Sequence, residues 1–397
     1  MTEQVQFRII VGSYEHNLLC LSLILPTGQN TSEAVFQPIF HFQAHSLSIK
    51  AIDVAKRYLV TGSNDEHIKI YDLQKRKELG TLLEHNGTIT VLRFSKENRG
   101  LEKEEEDSEK RVVHKDGKWL LSASEDGRIV IWGTKDWEKF GVLKGHTKRI
   151  NDLSIHPTGR IAVSVSDDMT VRLWNLMTAK KASVLKLKGR DTLGQAGEFV
   201  RFSADGEHFV VGLLNKIFFY ETRQAKILKT FNFTKSLMRM DLEVVNGIEY
   251  LITAHNDGTV QFFKFAIDDL KEEPDFKLQG HATRVKDFSI YHSGNNSYLV
   301  SVSSDGKIVV WDLQTKEQVA VYDSGERLNV CCVVEESVEK PETMRKLVEQ
   351  ADTNYSEHES DYESDGERLK EMMKSKKSKK SKKGKKKRDK QITVEIK

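Results

Sequence analysis

Cysteine and proline are scarce in this chain, with three and five residues respectively among 397. Cys20, Cys331 and Cys332 are odd in number and lack the spacing of a disulfide framework or a metal site. A reducing compartment is the expectation that follows. No apolar run reaches the length of a membrane span, and the first residues carry no secretory apolar segment. Neither membrane association nor export is expected, so the sequons at Asn30, Asn232 and Asn295 read as chance. Signatures of chemistry are missing as well. There is no Gly-x-Ser-x-Gly elbow, no His-Glu-x-x-His pair and no EF-hand loop. Residues 189–194 have the glycine spacing of a P-loop, but Gln195 stands where lysine is required. No cluster of Cys and His suits a metal. These absences argue against an enzyme and against any cofactor or small-molecule ligand.

What the chain does have is one phrase, repeated. Residues 61–71 (TGSNDEHIKIY) return as 122–132 (SASEDGRIVIW), 164–174 (SVSDDMTVRLW) and 301–311 (SVSSDGKIVVW). Each copy is a run of small residues, an acidic turn, then an alternating strand that ends in an aromatic. Weaker copies end at Leu21, Tyr220 and Phe263. The seven aligned ends are spaced by 50, 61, 42, 46, 43 and 48 residues. An apolar-alternating segment precedes each phrase, as in 49–54, 89–94, 150–155 and 285–290. The seventh such segment is 328–334, at the far end of the repeats, while residues 5–11 begin with a second strand. One unit is therefore expected to take its inner strand from 328–334 and its other three from 5–42, which protects the terminal edges.

A period of about 40–45 residues with this content resembles the WD40 β-propeller. The implied fold is all-β, a seven-bladed propeller over residues 1–335 closed by N- and C-terminal strands in one blade. In WD40 proteins a histidine, the serine two residues before the turn aspartate, that aspartate and the tryptophan form a buried tetrad. The resemblance places one at His146, Ser166, Asp168 and Trp174. It places others at His281, Ser303, Asp305 and Trp311, and at His85, Ser124, Asp126 and Trp132. A variant falls at His45, Ser63, Asp65 and Tyr71. A hydrolase triad would need one such site, whereas this set recurs blade after blade. The blades ending at Leu21 and Tyr220 lack members of it and are expected to be the least tightly held.

The net charge of +3 conceals a strong segregation. Residues 335–373 hold thirteen acidic against five basic residues, and 374–390 hold twelve basic against one acidic. The propeller is left close to neutral. A charged insertion at 96–118 accounts for the 61-residue spacing and reads as a loop between the first two strands of its blade. Residues 336–373 read as a disordered acidic linker. Ser356, Ser360 and Ser364 are each followed by acids and are candidate phosphorylation sites. Residues 374–397 form a lysine-rich tail. Its core is Lys376, Lys377, Lys379, Lys380, Lys382, Lys383, Lys385, Lys386, Lys387 and Arg388. It has no aromatics to stack on bases, so it suits phosphate neutralisation and nuclear targeting.

Several stretches are similar to one WD40 family, the p21-activated-kinase-interacting proteins and their fungal maintenance-of-killer counterparts. They are residues 60–72, 78–90, 154–159, 164–176, 215–217 and 284–287. The resemblance implies a noncatalytic scaffold of the nucleus and nucleolus for assembly of the large ribosomal subunit. Assembly proteins would dock on the propeller, and rRNA on the basic tail. The alternative is a negative regulator that binds a p21-activated kinase. The docking face is expected where the histidine loops converge, at Lys148, Arg149, Arg284 and Thr88.

Overall fold

The computed structural model describes residues 4–26, 34–95, 117–187, 192, 194–294 and 296–338. The serines at 356, 360 and 364, the lysine-rich tail and nearly all of the charged insertion lie outside the described residues. Among the described residues there are 28 strands in seven four-stranded sheets.

The chain opens with β1 (Gln4–Ser13), β2 (Asn17–Pro26) and β3 (Val35–Gln43). The first complete blade follows, with β4 (Ile49–Ala55), β5 (Tyr58–Ser63), β6 (Ile68–Asp72) and β7 (Lys77–Leu82). The next has β8 (Ile89–Phe94), β9 (Trp119–Ser124), β10 (Arg128–Gly133) and β11 (Lys139–Lys144). The third is β12 (Ile150–Ile155), β13 (Ile161–Ser166), β14 (Thr170–Asn175) and β15 (Lys180–Lys186). The fourth is β16 (Phe199–Phe202), β17 (His208–Gly212), β18 (Lys216–Glu221) and β19 (Ile227–Asn232). The fifth is β20 (Leu237–Val245), β21 (Ile248–His255), β22 (Thr259–Lys264) and β23 (Phe276–Gln279). The sixth is β24 (Val285–Ser293), β25 (Asn296–Ser303), β26 (Lys307–Asp312) and β27 (Glu317–Asp323). Strand β28 (Leu328–Glu335) then returns to pair with β1, giving the order β28-β1-β2-β3. The expected closure is therefore the one observed. Each inner strand touches the next around the ring, and β28 touches β4.

The strand sequences dictate their depth. In the third blade β13 is buried at five of six positions, while the rim strand β15 is exposed at six of seven. Lys180, Lys181 and Lys186 keep that edge in water and unsuited to further pairing. The core lies between blades. Leu121, Ala123 and Ile129 of one blade pack on Ile150, Leu153 and Trp174 of the next. Two of the three blades that lack the tetrad, those ending at Leu21 and Tyr220, are held by other means. Phe209 and Tyr220 stack with centroids 4.9 Å apart, and Leu21 is fully buried beside Phe7 and Ile9. Beyond β28 a single 3-10 turn, Glu336–Val338, ends the described chain.

Candidate protein-docking face

Strand ends on one face carry the histidine loops and the acidic turns, and the polar side chains there are engaged in structure. His146 Nδ1 lies 2.9 Å from Asp168, and its Nε2 lies 2.8 Å from Ser164 Oγ. Trp174 Nε1 donates to the same hydroxyl at 2.8 Å. His85, Asp126, Ser122 and Trp132 repeat this arrangement. In the sixth blade Ser301 takes His281 Nε2 at 2.8 Å and Trp311 Nε1 at 3.0 Å, but His281 Nδ1 stands 3.5 Å from Asp305. His45 bonds Asp65 and Thr61.

These contacts correct the expected serines. The tetrad members are Ser122, Ser164 and Ser301, with Thr61 in the first blade, and not Ser124, Ser166, Ser303 and Ser63. The reason is register. Ala162 stands opposite Trp174, and Ser164 is one same-face step along. That diagonal is within reach of an indole, and a further step of about 7 Å to Ser166 is not. Leu120 opposite Trp132 and Leu299 opposite Trp311 set the same geometry. The displaced serines hold the turns instead. Ser166 Oγ donates to the Lys148 carbonyl at 3.2 Å and accepts from the Asp168 N–H at 3.2 Å. Ser124 and Ser303 do the same with Gly87 and Arg284.

Burial sets the protonation of these groups. It lowers His146 below the ordinary imidazole value, against the pull of Asp168. Burial alone would raise Asp168, but hydrogen bonds from Thr170 and His146 outweigh it and keep the carboxyl low. The neutral imidazole then donates from Nδ1 and accepts from the hydroxyl of Ser164, which is fully buried, at Nε2.

A second polar system, not legible in the repeats, lines the inner strands. Asp53, Asp152 and Asp287 each accept the backbone N–H of the neighbouring inner strand. The donors are Phe94 at 2.7 Å, Val200 at 3.1 Å and Cys331 at 3.1 Å. Arg201 bonds Asp152 and lies 3.0 Å from Asp241, and Arg239 pairs with Asp287 at 2.8 Å. Burial alone would lower the Arg201 guanidinium, but the two aspartates raise it. The only sequence signal was a charge within an apolar strand. Such a network stitches blade to blade.

The mouth of the ring on the histidine face has its own order. Pairing registers slip by one residue near the start of six inner strands. The bulged residues are Lys50, Thr90, Asn151, Met238, Lys286 and Asn329, and Glu198 holds the same place in the fourth blade. A bulge re-aims its side chain. Here all seven are half-buried at the mouth.

The residues expected to form the docking face sit around this mouth. Arg149 is exposed and pairs with Glu125 at 3.4 Å. Lys148 is exposed beside it. Arg284, also exposed, donates to Ser304 Oγ at 3.2 Å. Thr88 is half-buried and acts through its carbonyl, which accepts the Glu125 N–H at 3.0 Å. Lys50 and Lys286 link the two arginine positions and were not singled out in the sequence. Burial lowers Lys50, helped by Arg149, and lowers Lys286, helped by Arg284 and Lys50.

Comparison with known proteins follows the same lines. Residues 36–72, 111–133, 137–175 and 272–312 match the WD domain, G-beta repeat (WD40). Protein MAK11 of Saccharomyces cerevisiae is 50% identical over 389 residues, which are 93% of this chain and 92% of that one. The p21-activated protein kinase-interacting protein 1-like of Gallus gallus is 36% identical over 276 residues, 70% of this chain and 66% of the other. Its namesake in Danio rerio is 29% identical over 319 residues, 78% of each.

Proposed function

The chain belongs to the WD40-repeat family of protein MAK11 and the p21-activated-kinase-interacting proteins, and from that premise we propose that it is a noncatalytic nuclear and nucleolar scaffold for large ribosomal subunit assembly. The propeller docks assembly proteins through the histidine face. The lysine-rich tail concentrates the molecule near rRNA and directs it to the nucleolus.

The observation that carries this reading is the division of labour in charge. The His, Ser and Asp residues that resemble chemistry are consumed inside blades. The cationic surplus lies in residues 374–390, where it can release counterions from a phosphate backbone. A body near neutral with a separate basic tail suits one molecule that must hold protein and RNA at once. The test is sedimentation of a cell extract with probing of the fractions. Comigration with large-subunit precursors is the expected result, and recovery in light soluble complexes alone would refute it.

A second reading is favoured by one observation, the names of the Gallus and Danio relatives, which describe proteins that interact with a p21-activated kinase. On that reading this chain binds such a kinase and blocks its activation. Retention of the purified kinase on the immobilised chain, with loss of kinase activity, would support it.

A further inference from the structure

The mouth of the ring carries two lysines that no carboxylate pairs with among the described residues. Lys50 and Lys286 sit at equivalent bulges two blades apart, with Asn329 of β28 between them. Asn329 is satisfied, donating to the Ile49 carbonyl at 3.0 Å. Neither lysine has a hydrogen bond or an ion pair among the described residues, although both are half-buried. An ammonium partly withdrawn from water without a carboxylate is unfavourable. Arg149 adds like charge at Lys50, offset in part by Glu125 at longer range, and Arg284 adds like charge at Lys286 with no carboxylate to offset it. Folding alone gives no reason for the arrangement, whereas an incoming anion does.

The rest of the mouth limits what that anion belongs to. Glu125 stands beside Arg149, and Glu198 holds the bulge place of the fourth blade, close to Asp167 and Arg149. A continuous phosphate backbone crossing the mouth would meet these carboxylates. A peptide can place its acids on one side only. Tyr14 lies beside Lys50 with 51% exposure, and Leu47, at 47%, is exposed in the loop that leads into the strand of Lys50. Lys50 Nζ is 6.0 Å from the centre of the Tyr14 ring, so charge and apolar surface are contiguous.

We propose that the channel mouth seats an acidic peptide segment of a partner protein, with a carboxylate between Lys50 and Lys286 and a neighbouring apolar side chain on Tyr14 and Leu47. This inference rests on the reading of the histidine face as a docking surface and names the chemistry of what docks there.

The test is selection of a random-peptide phage library on the full chain, after depletion on a free peptide of residues 374–390. Selected sequences are expected to combine Asp or Glu with an adjacent apolar residue. A synthetic, fluorescent copy should lose at least about tenfold in affinity, read by anisotropy, in the double variant Lys50→Gln/Lys286→Gln. The same peptide should bind the Lys235→Gln variant unchanged, since Lys235 is exposed on the same face away from the cluster. Thermal melts of both variants check that the fold is intact. Peptides without acidic residues, or acidic ones indifferent to the double variant, overturn the proposal. So does a polyuridine probe that loses as much affinity in the double variant as the peptide does, since the seat would then serve phosphate. The ribosomal scaffold fails on sedimentation whatever the peptide result. The seat fails on the peptide result even if the protein comigrates.

Discussion

Glu336 accepts two hydrogen bonds from the Arg8 guanidinium, at 3.1 and 2.7 Å, across a sequence separation of 328 residues. Its second oxygen takes a bond from Ser22 Oγ at 2.9 Å. The turn after the last strand is thereby fastened to the first two strands of the same blade. Arg8 is only 4% exposed, so the carboxylate compensates a buried charge. Glu336→Ala should cost about 2 kcal/mol, less than a wholly buried pair because the glutamate is partly wet. Urea unfolding of the purified chain measures this, and an unchanged midpoint would show that the fastening is idle.

The corrected tetrad makes a sharper prediction than the fold alone. Ser164→Ala leaves Trp174 Nε1 and His146 Nε2 without the hydroxyl they share, which should cost about 2–3 kcal/mol. Ser166→Ala removes one turn-to-loop bond and should cost about 1 kcal/mol. Trp174→Ala should cost more than either, about 3–5 kcal/mol, because it also leaves a cavity. The order of the three melting temperatures tests the register argument directly.

Acidification should act through buried histidines. Burial holds His45, His146 and His281 below 6.5, so the unfolded chain binds protons first as pH falls through that value. The stability they contribute is present above 6.5 and lost below it. Asp65, Asp126, Asp168 and Asp305 have depressed values, their hydrogen bonds outweighing burial, so their contribution is lost only below 3.8. Glu249 acts in the opposite sense. Burial pushes it up to about 7, so it stabilises the fold as pH falls toward 4.5. Comparing urea midpoints at pH above 7 and below 6, His146→Asn should reduce any acid loss and Glu249→Gln should enlarge it.

Asp152 binds three groups from its own and the next blade, the Arg201 guanidinium and the N–H groups of Leu153 and Val200. Asp152→Ala should cost about 3–5 kcal/mol, because a buried arginine loses a partner. Replacing Arg201 by Met in the same chain should recover part of that loss. A double-mutant cycle in urea without coupling would contradict the network.

On the proposed function, removing 374–397 should abolish nucleolar accumulation while leaving the melt of the propeller unchanged. The segment's aliphatic residues are only Ile392, Val394 and Ile396, and on the proposed function its cations act on nucleic acid. Microscopy of the truncated chain together with its melting curve tests both halves.

The ring was legible because its repeats are carried by residues with strict geometric duties. Trp132, Trp174 and Trp311 end equivalent strands, and the acidic turns precede them at fixed offsets. The closure was legible because 328–334 reads as an inner strand without a blade of its own. The tetrad serine was not. Two serines share one strand face, and only the pairing of Ala162 with Trp174 decides between them. The lysines of the mouth were missed for a related reason. A bulge at Lys50 or Lys286 is a backbone event, and both residues look like ordinary polar positions in an alternating strand. The aspartates of the inner strands acquire meaning only when the neighbouring blade supplies their N–H donors.

The pairing of β1 with β28 has a temporal corollary. A growing chain synthesises β1 before any of the other strands described, yet cannot complete its sheet until Leu328–Glu335 has emerged. Throughout translation the closing blade presents an unpaired edge of β1, from Phe7 to Ser13, beside an apolar flank. The newborn protein is thus most vulnerable to mispairing at its oldest segment, and a stop signal between 323 and 328 leaves six complete blades and a three-stranded seventh whose inner edge nothing else in the described chain can cover.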